Sequence, residues 1–177
     1  MFFWIFLFFV ILQRLAELVY AKHNERHMIS RGAIEYDREG YKYIVIMHSA
    51  FFISLIVENF FLLRELNPYW YVFFIIFVCG QGLRYSAIIS LKEQWNTKII
   101  VLKSGEIVKT GPYRYLRHPN YLGVVLEIIA IPLMFSCYIT AFVFTILNLL
   151  VLKRRIPIEG EALRFLNSSN GNKNRAY

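Results

Sequence analysis

Three apolar runs, each long enough to cross a bilayer, decide what this chain can fold into. They are Met1 to about Tyr20, opening with MFFWIFLFFVIL, Tyr43 to Leu63, and Pro68 to Leu91. A helix needs about 20 such residues to span the hydrocarbon core, and lipid offers the backbone no partners, so each run must satisfy its own amides as a helix. The first run lacks a basic start and a small-residue cleavage site, which does not suit a secretory signal. Pro68 suits the first turn of the third. Two shorter runs follow, Tyr121 to Phe135 and Tyr138 to Leu152, joined only by Ser136 and Cys137. They read as a tight helical hairpin that extends into its polar flanks or crosses only partly. The expected fold is an all-α integral membrane protein of about five transmembrane helices, in one domain.

Of 177 residues, 57% are hydrophobic and 18% charged, which excludes an ordinary soluble domain and a disordered chain. The net charge of +8 would suggest nucleic acid in a soluble protein. Here the cations lie between apolar runs, where an anionic leaflet retains them, and no nucleic-acid partner is expected. All but three of the Lys and Arg residues fall in the first connector (Lys22 to Lys42), the third (Lys92 to Arg117) and the tail (Lys153 to Arg175). The positive-inside rule places these segments in the cytoplasm and the amino end outside. Five crossings fit that parity, and the protein is expected in the cell (inner) membrane.

Charges inside spans are costly and mark functional candidates. Arg14 and Glu17 are three apart and near the interface, where pairing or snorkelling suffices. Glu58 and Asn59 read as interfacial. Gln81 and Arg84 are three apart in the third span. Glu127 lies in the fourth run with no charged neighbour in sequence; it pairs, Arg84 being one candidate, or is protonated. Asn148 reads as a hydrogen bond to another helix. Cys79 and Cys137 form no CxxC pair. His23 and His27 are four apart but lack a third ligand, so no metal is expected.

The segment Gly105 to Gly123, GEIVKTGPYRYLRHPNYLG, is the richest in chemistry. Gly111-Pro112 and His118-Pro119 force turns, since the residue before proline leaves the helical region. Pro119 sits where a helix can begin, aiming free N–H groups and the positive helix end at the loop. Arg114, Arg117 and His118 add donors, and Tyr113, Tyr115 and Tyr121 add flat faces, a set suited to a ligand with a carboxylate and an aromatic ring. An ordinary membrane-surface loop has a similar composition. After the last run, Pro157 can open a short cytoplasmic helix, with Arg155 and Glu159 four apart. They read as a reaction-site pair or as a surface salt bridge.

Tyr113, the string Arg117-His118-Pro119-x-Tyr121-x-Gly123, and Arg155-x-x-x-Glu159 after a hairpin resemble the isoprenylcysteine carboxyl methyltransferase family, within a wider group that includes membrane phospholipid methyltransferases. The likeness runs from about Trp95 to Leu166. The first half matches the family only in hydropathy: the chain reads as three amino-terminal spans in 1–91, a catalytic half in 92–167, and a polar, glycine-containing stretch, 168–177, expected as a flexible tail. The likeness implies an S-adenosylmethionine-dependent methyltransferase whose donor is held by the cytoplasmic loop and the carboxyl-terminal helix. Carried over by position, Lys98, Gly105, Glu106, Ile107, Val108, Tyr113, His118, Pro119, Asn120 and Tyr121 would contact the donor. Glu159 would face its ammonium group, and Arg155 the acceptor. Gly160 stands where the family has a second acidic residue.

The stretch RGAIEYDREGYKYIVIMHSAFF resembles short bacterial members that accompany type III polyketide synthases. That resemblance implies methylation of the enolic hydroxyl of long-chain alkylpyrones; a carboxylate is the other oxygen acceptor. A phospholipid N-methyltransferase is an alternative that would need a base near the amine. A small transporter or non-catalytic membrane protein is another, supported by Arg84 and Glu127 but by no repeat.

Overall fold

A computed structural model describes residues 1–102 and 107–173. Its elements are α1 (Phe2–Ser30), β1 (Ile34–Tyr36), α2 (Arg38–Phe61), α3 (Trp70–Leu91), β2 (Ile99–Val101), α4 (Pro119–Met134) and α5 (Tyr138–Lys173). Helices at Phe2–Ser30, Arg38–Phe61 and Trp70–Gln94 are long and apolar enough to cross a membrane. Only 22% of each apolar window is buried inside the protein, so most of these side chains face outward as lipid contacts require. The chain is an integral membrane protein. α4, with 16 residues, is about 24 Å long at the α-helical rise, short of the ~30 Å hydrocarbon core.

The buried positions follow narrow stripes. In α1 they are Phe3, Leu7, Val10, Glu17, Ala21, Asn24 and Met28, and in α3 Phe77, Gly80, Arg84 and Ala87. Steps of three, four and seven keep one helical face inward while the rest meets lipid.

The chain forms two compact units. The first comprises Met1–Arg38, Leu91–Ile107 and the chain from Pro157 onward. Here β1 and β2 pair antiparallel, Ile34 opposite Val101 and Tyr36 opposite Ile99. This strand pair modifies the expected all-helical fold; three-residue strands are too short to leave a period in the sequence. Ile99, Val101 and Ala162 form a small core, with Tyr36, Ile158 and Leu163 packed on it. Buried Asn24 of α1 donates to the carbonyls of Lys92 at 3.0 Å and Trp95 at 2.8 Å. Asn96 donates to Ala21 O at 3.2 Å, and Tyr20 stacks on Trp95. These bonds hold the connector against α1.

The second unit comprises Glu39–Ser90 and Val108–Ile156. α2 and the first part of α5 run antiparallel: Ser54 meets Thr140, Phe51 meets Phe144, and the Arg154 guanidinium lies over Tyr43. Glu58, near the end of α2 where the sequence places a membrane interface, is buried within the protein. Its carboxylate accepts from the backbone of Thr140 at 2.7 Å, the Thr140 hydroxyl at 2.8 Å and the Ile139 amide at 3.2 Å. Arg64 pairs with it at 3.2 Å. A carboxylate at the first N–H groups of a helix satisfies groups that have no intrahelical partner and complements the helix dipole. Ser136, at φ +54°, makes the turn between α4 and α5.

α3 and α4 cross where Gly80 meets Gly123. A Cβ at Gly123 would lie 2.8 Å from Gly80 O, and one at Gly80 3.1 Å from Gly123 O. Small residues let backbones approach this closely in membranes. Contrary to expectation, Pro157 does not open a new helix; α5 runs through it. Proline deprives the carbonyl four residues back of its helical partner, a loss that water can offset where the flanking residues are as polar as Lys153, Arg154 and Glu159.

Candidate active site

The approach to α4 is built from two proline turns. Gly111 adopts φ +57°, and a Cβ there would collide with the Ser90 hydroxyl, so the turn needs glycine. Pro112 opens a short 3-10 turn over Gly111–Arg114, closed by the amides of Tyr115 and Leu116 on Pro112 O. The turn leaves Arg114, Tyr115 and Arg117 exposed and Tyr113 half-buried. Arg114 lies over the Tyr115 ring. The donors expected from Arg114 and Arg117 therefore sit at the surface, whereas His118 is drawn inward.

His118 is the N-cap of α4 and Pro119 its first residue. Proline is suited there because that N–H has no partner anyway. Pro119 is buried and Asn120 half-buried, with the Oδ1 of Asn120 enclosed and without a hydrogen-bond partner among the described residues. The His118 and Tyr121 rings stack with centroids 5.2 Å apart and planes 12° apart. Arg155 reaches this group from α5: its Nε donates to the Tyr121 hydroxyl at 2.8 Å, and its guanidinium lies 5.7 Å from the centre of the Tyr121 ring. Arg155 is 7% exposed. A guanidinium kept from water offers a planar fork of donors suited to an anionic oxygen.

The structure thus joins His118, Tyr121 and Arg155, which the sequence places in separate roles. Nothing in the sequence signals the Tyr121–Arg155 bond, whose partners are 34 residues apart. Glu159 follows Arg155 by four residues along α5 and is half-buried. Ile107 and Val108 are half-buried in irregular chain. Lys98 lies in the first unit, where its ammonium meets Glu25 at 2.6 Å and Glu35 at 3.4 Å. Burial lowers its pKa, but the bond and charge of Glu25 and the charge of Glu35 outweigh that and hold it above the usual lysine value. Gly105 and Glu106 lie outside the described residues.

Arg84 and Glu127 both turn into the α3–α4 seam and are 6% and 1% exposed. A Cβ at Gly123 would touch Arg84 Cβ, and one at Gly80 would touch Glu127 Cγ, both at 3.5 Å. The glycines and the two charged residues alternate along one crossing.

The model of the isoprenylcysteine carboxyl methyltransferase family matches residues 72–165. An uncharacterized protein of Bacillus subtilis, YpbQ, is 41% identical over 162 residues, covering 92% of this chain and 96% of that protein. An uncharacterized protein of Haemophilus influenzae is 31% identical, covering 81% and 84%. A probable protein-S-isoprenylcysteine O-methyltransferase of Oryza sativa subsp. japonica is 25% identical over 108 residues, covering 58% and 56%. No solved structure matches the chain.

Proposed function

We propose, since this chain belongs to the isoprenylcysteine carboxyl methyltransferase family and is a membrane methyltransferase, that it methylates an oxygen of a lipophilic acceptor dissolved in the bilayer. The observation that carries this reading is the buried Arg155 guanidinium fixed by the Tyr121 hydroxyl at 2.8 Å.

The residues at the start of α4 fit an S-adenosylmethionine donor. Asn120 Oδ1 is an enclosed acceptor without a partner among the described residues, suited to an ammonium or a ribose hydroxyl. The first-turn N–H groups of α4 suit a carboxylate, and the His118–Tyr121 stack offers an aromatic face. The family resemblance adds Lys98, Gly105, Glu106, Ile107, Val108, Tyr113 and Pro119 as donor contacts, with Glu159 toward the ammonium. Held by these residues, S-adenosylmethionine would supply a sulfonium-borne methyl group for transfer to the acceptor oxygen, leaving the neutral thioether.

Arg155 binds and orients the acceptor oxygen as an anion. Such an oxygen needs no general base, so these residues contribute alignment and exclusion of water. Alignment alone can lower a barrier by several kcal/mol. The preferred acceptor is the enolic hydroxyl of a long-chain alkylpyrone, whose conjugated anion resembles a carboxylate; a carboxylate is the other oxygen acceptor. The basic connectors support a site at the cytoplasmic face of the inner membrane, and their distribution fits five crossings.

Purified protein in detergent is incubated with methyl-labelled S-adenosylmethionine and, separately, an alkylpyrone, a long-chain fatty acid and phosphatidylethanolamine. Label in the pyrone methyl ether is the expected product. Label confined to the phospholipid amine would replace this reading with an N-methyltransferase, and failure to bind the donor by calorimetry would remove methyl transfer altogether.

A further inference from the structure

The 3-10 turn before α4 runs into a charged and apolar tip that the proposed methyl transfer does not use. Arg114, Tyr115, Leu116 and Arg117 are all exposed, Tyr115 to 81%. The Arg114 guanidinium lies over the Tyr115 ring, 5.8 Å from its centre. From Ile107 to Leu126 the sequence has no acidic residue. Exposed Lys109, Arg114 and Arg117 therefore carry local positive charge that no neighbour in sequence offsets.

The height of the tip in the membrane follows from what it rests on. A Cβ at Gly111 would meet the Ser90 hydroxyl and lie 4.0 Å from Ser86 O, so the turn is seated on the last turn of α3. That helix is part of a candidate membrane span, and Tyr85 and Ile89 still face outward near its end, Ile89 to 69%. On the other side of the tip, α4 starts at Pro119 and turns Leu122 outward. The tip thus sits between two helix ends, where the hydrocarbon gives way to headgroups. Tyrosine favours that level, with its ring toward the acyl chains and its hydroxyl in water. Arginine lays its stem along apolar surface and offers phosphate a planar fork of donors.

We propose that Arg114–Arg117 is a lipid-headgroup site: Tyr115 and Leu116 enter the bilayer interface, and Arg114 and Arg117, aided by Lys109, bind the phosphate of an anionic phospholipid. The occupant is a lipid and not an acidic protein because the apolar pair between the two arginines continues the outward apolar surface of α3 and α4. His118, the N-cap of α4, follows Arg117 directly, so a headgroup held here also steadies the chain that enters the candidate active site. The inference does not depend on which acceptor is methylated, or on methyl transfer itself.

The test uses the full chain with photoreactive p-benzoylphenylalanine in place of Tyr115. The protein is placed in nanodiscs of equimolar phosphatidylcholine and phosphatidylglycerol with the same acyl chains, irradiated, and its covalent adducts identified by mass. A phospholipid adduct is expected, with phosphatidylglycerol exceeding phosphatidylcholine by at least about threefold, a bias within reach of two or three basic residues at an anionic surface. Arg114→Gln combined with Arg117→Gln should bring the ratio close to one. Raising the salt to about 0.5 M should lower it in the parent protein, because exposed charges are screened. Absence of a lipid adduct, or cross-links to the chain alone, would show that the tip does not meet the bilayer and would overturn the proposal. Equal adducts of the two lipids in the parent would overturn it as well, as would a bias that survives loss of both arginines. Should the double variant fail to fold, the salt titration of the parent still decides: a bias unchanged at high salt rules out charge capture of the headgroup.

Discussion

The Tyr121 hydroxyl accepts a 2.8 Å hydrogen bond from Arg155 Nε, so the start of α4 determines where a guanidinium on α5 points. Arg155→Ala is expected to abolish turnover while donor affinity stays within about twofold. Tyr121→Phe keeps the ring stack and loses the bond; hydrogen bonds to charged groups contribute about 1.5–3 kcal/mol, so the acceptor KM is expected to rise by roughly 10-fold or more. Loss of donor binding in Arg155→Ala would assign Arg155 to the donor instead. Rates and calorimetry on the same preparations decide.

Two glycines near the site are expected to answer oppositely to alanine. At Gly123 the new Cβ would lie 2.8 Å from the Gly80 carbonyl, a backbone atom that cannot swing away, so α3 and α4 must separate. Overpacking of this kind costs about 1–3 kcal/mol, and it would displace Arg84 and the start of α4 together. At Gly160 a Cβ meets nothing within 4 Å, and α5 passes through it. Gly160→Ala is expected to stabilise by about 0.5–1 kcal/mol through helix propensity. Unfolding temperatures in one detergent should show the first falling and the second rising.

This contrast also shows what the sequence conveys. The apolar runs locate all five helices to within a few residues at most ends because lipid imposes a single local rule, the length of apolar chain. Pro119 marks the start of α4 because its ring fixes φ and lacks the N–H. Gly123, by contrast, gives no local sign that it faces Gly80, and Glu58 none that it caps α5, because these depend on partners 43 and 82 residues away. Pro157 misleads for a related reason: its local preference is for a helix start, and the packing of Ile158 and Ala162 on β2 favours a continuous helix. The site divides the same way, with its residue types visible in the RHPNY string and its Tyr121–Arg155 bond not.

Burial and the nearby Glu58 carboxylate push the Cys137 thiol up to about 12 from a usual 9.0. Cys137 lies in the turn between α4 and α5, fully enclosed, with its S–H toward Phe135 O. The folded protein keeps this thiol protonated, while the unfolded chain releases its proton near the usual value. Stability is therefore expected to be unaffected below about pH 9 and to decline between there and about 12. Cys137→Ala should remove that part of the alkaline decline. Iodoacetamide at neutral pH should leave Cys137 unmodified until the protein is unfolded, because the thiolate is the reactive form. Rapid alkylation of native Cys137 would contradict the enclosed turn.

Lys98 provides a test confined to the first unit. Its ammonium joins Glu25 of α1 to Glu35 of β1, and the pair of carboxylates holds its pKa above the usual 10.5 despite burial. A raised lysine pKa means that the folded state binds the proton more tightly than the unfolded state. Its contribution is complete below the usual value and is lost as pH climbs through the higher folded one. Lys98→Met leaves the carboxylates facing each other without their shared cation. It is expected to lower Tm by roughly 2–4 °C at neutral pH, with the difference from wild type vanishing as wild-type Lys98 itself deprotonates. Removing one of the two facing carboxylates with Glu35→Gln in the same chain should recover part of the loss, whereas a Tm difference that persists unchanged into strong alkali would show that Lys98 acts through its methylene stem and not its charge.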